Sequence, residues 1–301
     1  MSRILPAMQA LRSFEAAARL SSISKAADEL FVTQSAVSKQ IKILENLLGV
    51  ALFNRSANGI SLTANGDIYL STVVSALNEL NNAAQSLQSK PNKQQLVLDV
   101  IPSLSNIWLI PKIHSFEQRY PHLKVDLMTG DGLPNFNQLQ ADAYIRCLLP
   151  TQVQHTHIEL CKEKLLLVIS PKLLAKLSID NSMDLLNVNL IQQTTRPQMW
   201  TQFFNQHSSQ VPAALPLGMG FQHFFMSIKA AEEGLGAALV PDFLAADSIE
   251  KGLLINPLQL QLSSGYGYYL FSPSYKTRLK KVLEFNQWLS SAFAKTELAA
   301  N

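Results

Sequence analysis

Residues 33–49, TQSAVSKQIKILENLLG, leave the chain fewer choices than any other stretch. Val37, Ile41, Leu44 and Leu48 recur at i, i+4, i+7 and i+11, which lines one face of an α-helix and no face of a strand. Thr33 is suited to cap the first turn and Gly49 to follow the last. The opposite face carries Gln34, Ser35, Ser38, Lys39 and Lys42: an amide, two hydroxyls, two ammonium groups and no carboxylate. That surface suits a DNA major groove, where the amide can pair with an adenine edge and the lysines can neutralise phosphate. Taken alone, the same pattern also describes an ordinary amphipathic surface helix, so the flanking segments decide.

Upstream, Met8, Leu11, Phe14 and Ala18 give a helix over about 6–19 its core face. Ser22 then caps a second helix in which Ile23, Ala26, Ala27 and Leu30 are spaced i, i+3, i+4, i+7, with alanines that permit close packing. Two helices joined by only residues 31–33 predict a helix-turn-helix. Downstream, LFNRSANGISLT reads as a hairpin with Asn58-Gly59 at its turn and Arg55 and Asn58 near the tip, a wing able to touch phosphate or a minor groove. Charge follows the same division. Residues 1–65 hold seven Lys/Arg and four Asp/Glu, so of the chain's 25 and 22 eighteen of each remain beyond, and all of the +3 lies in this segment. A basic module on a neutral body points to a polyanionic partner.

Thr63 caps a longer helix over about 64–87. Leu70, Leu77 and Ala84 occupy one position of a seven-residue repeat and Val73, Leu80 and Leu87 the next, an a/d seam expected to pair with a second copy. Packing on the chain's own body is the alternative. Residues 89–95 read as a polar linker, after which strands alternate with helices, predicting a mostly parallel sheet. The roughly 200 residues involved suffice for one large domain or two lobes.

No apolar run reaches the roughly 18 residues of a membrane helix, and the N-terminus lacks an export signal, so a cytoplasmic protein is expected. Two cysteines, Cys147 and Cys161, make no disulfide framework and read as buried thiols. His155, His157 and Cys161 fit no standard zinc spacing, and no metal is assigned. Gly218-Met219-Gly220 lacks the third glycine of a dinucleotide fingerprint, and there is no G-x-S-x-G elbow or P-loop, so neither cofactor nor enzymatic activity is expected.

The string Leu11-Arg12, Phe14, Ala26-Ala27, Leu30, Thr33 to Ser38, Gln40-Ile41, Leu44-Glu45, Leu48-Gly49, Leu52-Phe53, Arg55, Leu62-Thr63 and Gly66 resembles the DNA-binding domain of LysR-type transcriptional regulators. Trp108-Leu109-Ile110-Pro111, Arg119-Tyr120-Pro121, Asp142 to Arg146, and Glu233-Gly234-Leu235-Gly236 to Pro241 are similar to the branch with the glycine-cleavage activator and the β-lactamase regulator. Lys25 and Lys39 stand where that family commonly has Arg, and Asn58 where the wing often has a second Arg; lysine lacks the bidentate guanidinium fork.

The resemblance implies an α+β chain: a winged helix-turn-helix over 1–62, a linker helix for dimerisation over 63–89, and over 90–301 a two-lobed α/β effector-binding domain similar to periplasmic binding proteins. Lobe I would hold 95–164 and 266–301, and lobe II 165–265. It implies Gln34, Ser35, Ser38, Lys39, Lys42, Arg55 and Asn58 as DNA contacts, and Leu70, Val73, Leu77, Leu80 and Leu87 as a dimer seam. It implies double-stranded promoter DNA as partner, a homodimer or homotetramer, a small-molecule effector, RNA polymerase as a further candidate partner, and no membrane.

For the effector, Ser103, Leu104 and Ser105 open a helix whose free N–H groups and hydroxyls suit a carboxylate; alternatively Ser103 caps that helix. Thr129 and Asp131 would line the cleft from one side, Thr194, Phe221, Gln222 and His223 from the other, and Tyr268 from a returning strand. Asp131 could take an amine, so an amino-acid-like or carboxylate ligand is expected. Arg146 could reach a carboxylate or serve as an internal ion-pair partner. A solute-binding module with a helical assembly segment is the competing reading, and the absent export signal argues against it.

Overall fold

The computed structural model describes residues 5–56, 59–88, 94–134, 141–153, 156–208 and 214–300. They fall into two compact units, one within Met1–Pro91 and one from Asn92 onward.

In the first unit three helices, α1 (Met8–Leu20), α2 (Ile23–Leu30) and α3 (Gln34–Leu48), are followed by a hairpin of β1 (Phe53–Ser56) and β2 (Gly59–Leu62) and by α4 (Ala64–Gln88). The apolar stripe of α3 does what its spacing predicts: Val37, Ile41 and Leu44 are fully buried against Phe14, Ala17, Ala26 and Ala27. Short side chains on α1 and α2 let the three axes approach closely. Ser22 caps α2 by accepting from the Lys25 N–H at 3.2 Å, and Thr33 caps α3 by accepting from Ala36 at the same distance. Glu45 turns back from α3 to accept from the Leu52 and Phe53 N–H groups at 2.8 and 3.2 Å, which fixes the root of the hairpin. Phe53 faces Leu62 and Arg55 faces Ile60 across the antiparallel pair. Gly66 is required where α4 begins, because a β-carbon there would lie 2.2 Å from the Leu52 carbonyl oxygen.

The second unit is built on a six-stranded sheet ordered β4-β3-β5-β10-β6-β9, comprising β3 (Gln95–Val100), β4 (Lys124–Thr129), β5 (Ala143–Leu148), β6 (His157–Val168), β9 (Ala238–Pro241) and β10 (Gln261–Phe271). Strands β7 (Leu190–Gln193) and β8 (Leu217–Phe221) form a separate parallel pair. The expectation of a mostly parallel sheet needs correcting. Within the six-stranded sheet only β3 with β4 and β3 with β5 run parallel among the described residues, while β10 pairs antiparallel with both β5 and β6, and β6 with β9. Strands β6 and β10 are long and pass residues 165 and 265, the lobe limits expected from the sequence.

The helices of this unit are α5 (Ile110–Arg119), α6 (Pro171–Leu174), α7 (Met199–His207), α8 (Phe224–Glu232), α9 (Asp242–Glu250) and α10 (Lys280–Ala300). Residues Leu104–Leu109 are a π-helical stretch leading into α5, an irregularity that tends to mark functional sites. Asp142 ties α10 to the sheet: it accepts from Lys281 at 2.6 Å, Lys276 at 3.0 Å and the Val97 N–H at 3.0 Å. Burial pushes that carboxyl up, and the Lys281 bond, the Val97 N–H and Lys276 outweigh it, holding it below its ordinary value. No described helix is long and apolar enough to cross a membrane.

Candidate functional site

The polar face of α3 is open to solvent. Gln34, Ser35, Lys39 and Lys42 are exposed and Ser38 is half-buried. Among the described residues, Gln34, Ser38, Lys39, Lys42 and Arg55 have no side-chain hydrogen bond or ion pair, whereas Ser35 shares one with the Thr33 hydroxyl at 3.0 Å. Arg55 is exposed on β1, and Asn58 lies outside the described residues. On the neighbouring helices the one exposed arginine with partners is Arg19, which joins Glu15 at 2.8 Å and Glu29 at 2.5 Å and so couples α1 to α2. Glu15 and Glu29 are thus paired with Arg19, and among the described residues the cations of α3 and the hairpin are left free.

The seam of α4 divides. Val73 is buried in the unit's own core, and Leu70 and Leu77 pack on that core, while Leu80 is 55% exposed. The side chain of Leu87 lies outside the described set. The first half of the heptad pattern thus serves the chain itself. Leu80, with Met8, Leu30, Val74 and Leu77, lines a groove of about 540 Å³ between α1 and α4.

In the second unit a cavity of about 250 Å³ opens between the start of the π-helical stretch and the start of α8. Of the residues expected from the sequence, Ser103, Asp131, Arg146, Gln222, His223 and Tyr268 line it. Leu104 and Ser105 are buried beside it without lining it, and Thr129, Thr194 and Phe221 do not line it either. Thr194 lies in the turn that follows β7 and is exposed, while its neighbours Gln193 and Thr195 line the cavity. Phe221 ends β8 and packs on the core.

Ser103 does not cap its own helix. It is helical itself, and its Oγ accepts from the Phe225 N–H at 3.2 Å. Helix α8 has His223 as its N-cap with no side-chain cap bond, so Ser103 supplies from another segment the acceptor that α8 lacks. Arg146 is committed internally. It pairs with Asp99 at 3.0 Å and donates to the Asp99 and Ile145 carbonyls at 2.9 and 3.0 Å, leaving its buried Nε without a hydrogen bond.

Cys147, next to Arg146 on β5, belongs to a cluster that the sequence does not disclose. Glu163, fully buried, pairs with Arg196 and accepts from the Tyr268 hydroxyl at 3.3 Å and the Cys147 thiol at 3.4 Å. Arg196 also donates to Cys147 Sγ at 3.3 Å, and its guanidinium lies 3.9 Å from the centre of the Tyr266 ring. Burial lowers the Arg196 pKa, but the Glu163 charge more than offsets this and holds the guanidinium protonated. Burial, then Glu163, pushes the Cys147 thiol well up, so it stays a thiol. Burial likewise pushes the Tyr268 hydroxyl well up. Gln193 holds the opposite wall by donating to the Gln222 carbonyl at 2.6 Å and to Thr195 Oγ at 3.2 Å.

The cavity therefore presents a solvent-exposed carboxylate, Asp131, and a guanidinium, Arg196, with three N–H groups left after its two hydrogen bonds. Amide and hydroxyl groups lie around them. Among the described residues no cluster of His, Cys, Asp and Glu is arranged to hold a metal; His157 instead packs on Tyr269 and Phe271, and His155 lies outside the described residues.

Two family models match. "Bacterial regulatory helix-turn-helix protein, lysR family" covers residues 8–67, and "LysR substrate binding domain" covers 89–294. The chain is 35% identical over 260 residues to the HTH-type transcriptional regulator TrpI of Pseudomonas aeruginosa, covering 85% of this chain and 88% of that one. It is 34% identical over 299 residues to the glycine cleavage system transcriptional activator of Escherichia coli K12, covering 99% and 97%. Among solved structures, the effector domain of AmpR from Pseudomonas aeruginosa matches 66% of this chain and 95% of its own with a TM-score of 0.58 at 22% identity. Full-length LysG from Corynebacterium glutamicum, with bound effector Arg, matches 95% and 97% with a TM-score of 0.59 at 15% identity. These last two similarities are similarities of fold.

Proposed function

Since the chain belongs to the LysR family of transcriptional regulators, with its helix-turn-helix and effector-binding domains, we propose that it binds promoter DNA as an oligomer and is switched by a small molecule in the cavity between Ser103, Asp131 and Arg196. The observation that carries the DNA-binding half is the capped helix α3, whose apolar stripe is buried while Gln34, Ser38, Lys39 and Lys42 have no side-chain partner among the described residues. Helix α3 enters the major groove with its first turns, and Lys42 and Arg55 take phosphate. The exposed part of α4 and the α1–α4 groove around Leu80 pair the chains, so a target with two half-sites is expected.

The cavity favours an amino-acid-like effector. Asp131 takes the amine, and the remaining N–H groups of Arg196 take the carboxylate. A volume of about 250 Å³ restricts the ligand to small molecules. Arg146 shapes the wall, held there by Asp99 and two carbonyls.

A gel shift with the DNA upstream of its own gene tests the first half; absence of salt-sensitive binding to that or any native promoter would sink it. A thermal-shift screen of amino acids and small carboxylates tests the second, since a ligand that binds only the folded state raises the melting temperature by mass action. A hit that keeps its full shift in Arg196→Gln and Asp131→Asn places the effector elsewhere.

A further inference from the structure

Phe31 is the most exposed large apolar side chain among the described residues, at 94%. It packs in neither hydrophobic core. Its backbone is also unusual: φ is +56°, which it shares only with Ser21 and Gln259 among the described non-glycine residues. Phe31 is the C-cap of α2, a position where glycine or asparagine fits the left-handed conformation best. The turn of a helix-turn-helix often contains glycine for this reason. An aromatic side chain there is strained and leaves a large apolar surface in water. The fold gains nothing visible from the choice.

The position offers a use. Phe31 precedes by two residues the N-cap of α3, Thr33, and the residues that follow are open to solvent: Val32 at 36% exposure, then Thr33, Gln34 and Ser35. When the start of a recognition helix enters the major groove, the turn before it lies at the groove edge. Phenylalanine is among the side chains that touch the thymine 5-methyl group, and the deoxyribose ring offers a second apolar surface there.

We infer that Phe31 is a DNA-contacting residue whose ring packs on apolar nucleotide surface at the edge of the groove that α3 enters. The inference rests on the reading of α3 as a DNA-binding helix. The contact adds affinity without neutralising phosphate, so it differs from the contacts of Lys42 and Arg55 in leaving the salt dependence alone.

The test uses the full-length protein and duplexes it captures from a random-sequence pool, with Kd read by fluorescence anisotropy. Phe31→Asn and Phe31→Gly both suit a positive φ, so they should melt at or above the wild-type temperature. Both should bind the selected duplex about tenfold more weakly with an unchanged salt slope, and Phe31→Tyr should bind like wild type. Uracil in place of thymine across the site then locates the ring. A loss seen in wild type and absent in Phe31→Asn puts it on a methyl group; no such loss puts it on deoxyribose. If wild type captures no duplex, the DNA-binding reading fails and this inference with it. If wild type binds and both variants match it within about twofold, only the inference about Phe31 falls.

Discussion

On the outer face of α3, Gln34, Lys39 and Lys42 make no polar side-chain contact among the described residues, whereas around the cavity Arg146, Glu163 and Arg196 are each held by two or more groups of the protein. Both regions are rich in polar side chains, and they sit on opposite sides of a physical divide. An exposed ammonium costs nothing to leave unpaired in water, so a surface that must meet a polyanion can keep its cations free. A guanidinium or carboxylate removed from water costs several kcal/mol unless it is paired, so a small cavity must satisfy its charges before a ligand arrives. The first region can lose a side chain at little cost to the fold; in the second such a loss is destabilising.

The largest effect expected of that contrast is at Glu163. Glu163→Ala removes the acceptor of Arg196, Tyr268 and Cys147 together and should destabilise the second unit by about 3 kcal/mol, read as a lower midpoint in urea. Glu163→Gln keeps an acceptor and should lose less. A Glu163→Ala chain as stable as wild type would show that these charges are not what holds the cavity walls.

Asp142 sharpens the same point through pH. Its folded pKa lies below the ordinary 3.8, so as acid is added the unfolded chain takes up the proton first. The stabilisation is complete above the unfolded value and is lost as pH falls through the folded one. Asp142→Asn should lower stability near neutral pH by about 2 kcal/mol, and its melting temperature should fall less steeply than wild type below about pH 4. Equal acid limbs in the two proteins would remove Asp142 from the account.

On the exposed side the prediction reverses. Lys42→Ala and Arg55→Ala should leave the melting temperature within about 1 °C of wild type, since both side chains are exposed and neither has a partner among the described residues. Each should weaken DNA binding about tenfold at low salt and reduce the salt slope by about one. An unchanged slope in both variants would count against phosphate contact.

The difference between the regions also explains what the sequence disclosed. Helix α3 is legible because its cap, its apolar stripe and its polar face all lie within 33–49, and an exposed face needs no remote partner. The hairpin was legible from Asn58-Gly59 for the same local reason. The mixed sheet was not. Strand β6 begins with His157, Glu159, Lys162 and Glu163, which mask its alternation, and only its apolar end from Leu165 reads as strand. Its antiparallel pairing with β10 joins segments about a hundred residues apart, as Leu262 with Leu165. Arg196 was missed because TTRPQ reads as a polar turn, and nothing local links it to Glu163, 33 residues away. A fully buried acid in the middle of a strand is the one signal that would have led there, and burial is not visible in a single sequence. The seam of α4 shows the converse error of emphasis: a heptad pattern does not say whether the surface it meets is a copy or, as for Val73, the chain itself.

Ser103 is where the two kinds of polar group meet, and its expected effect is the smallest. Its hydroxyl is buried and committed, yet what it caps is a helix N-terminus facing the cavity, the kind of group that receives a ligand carboxylate. If the bond to Phe225 is only a cap, Ser103→Ala should cost about 1 kcal/mol and leave the thermal shift produced by an effector unchanged. If the effector carboxylate displaces Ser103 from the Phe225 N–H, wild type must break that bond on binding and the variant need not. Ser103→Ala would then melt lower without ligand and show a larger shift with it, by up to the same ~1 kcal/mol. A smaller shift in the variant would mean that the hydroxyl binds the ligand directly. The three outcomes differ in sign, so a single pair of melting curves with and without effector separates them.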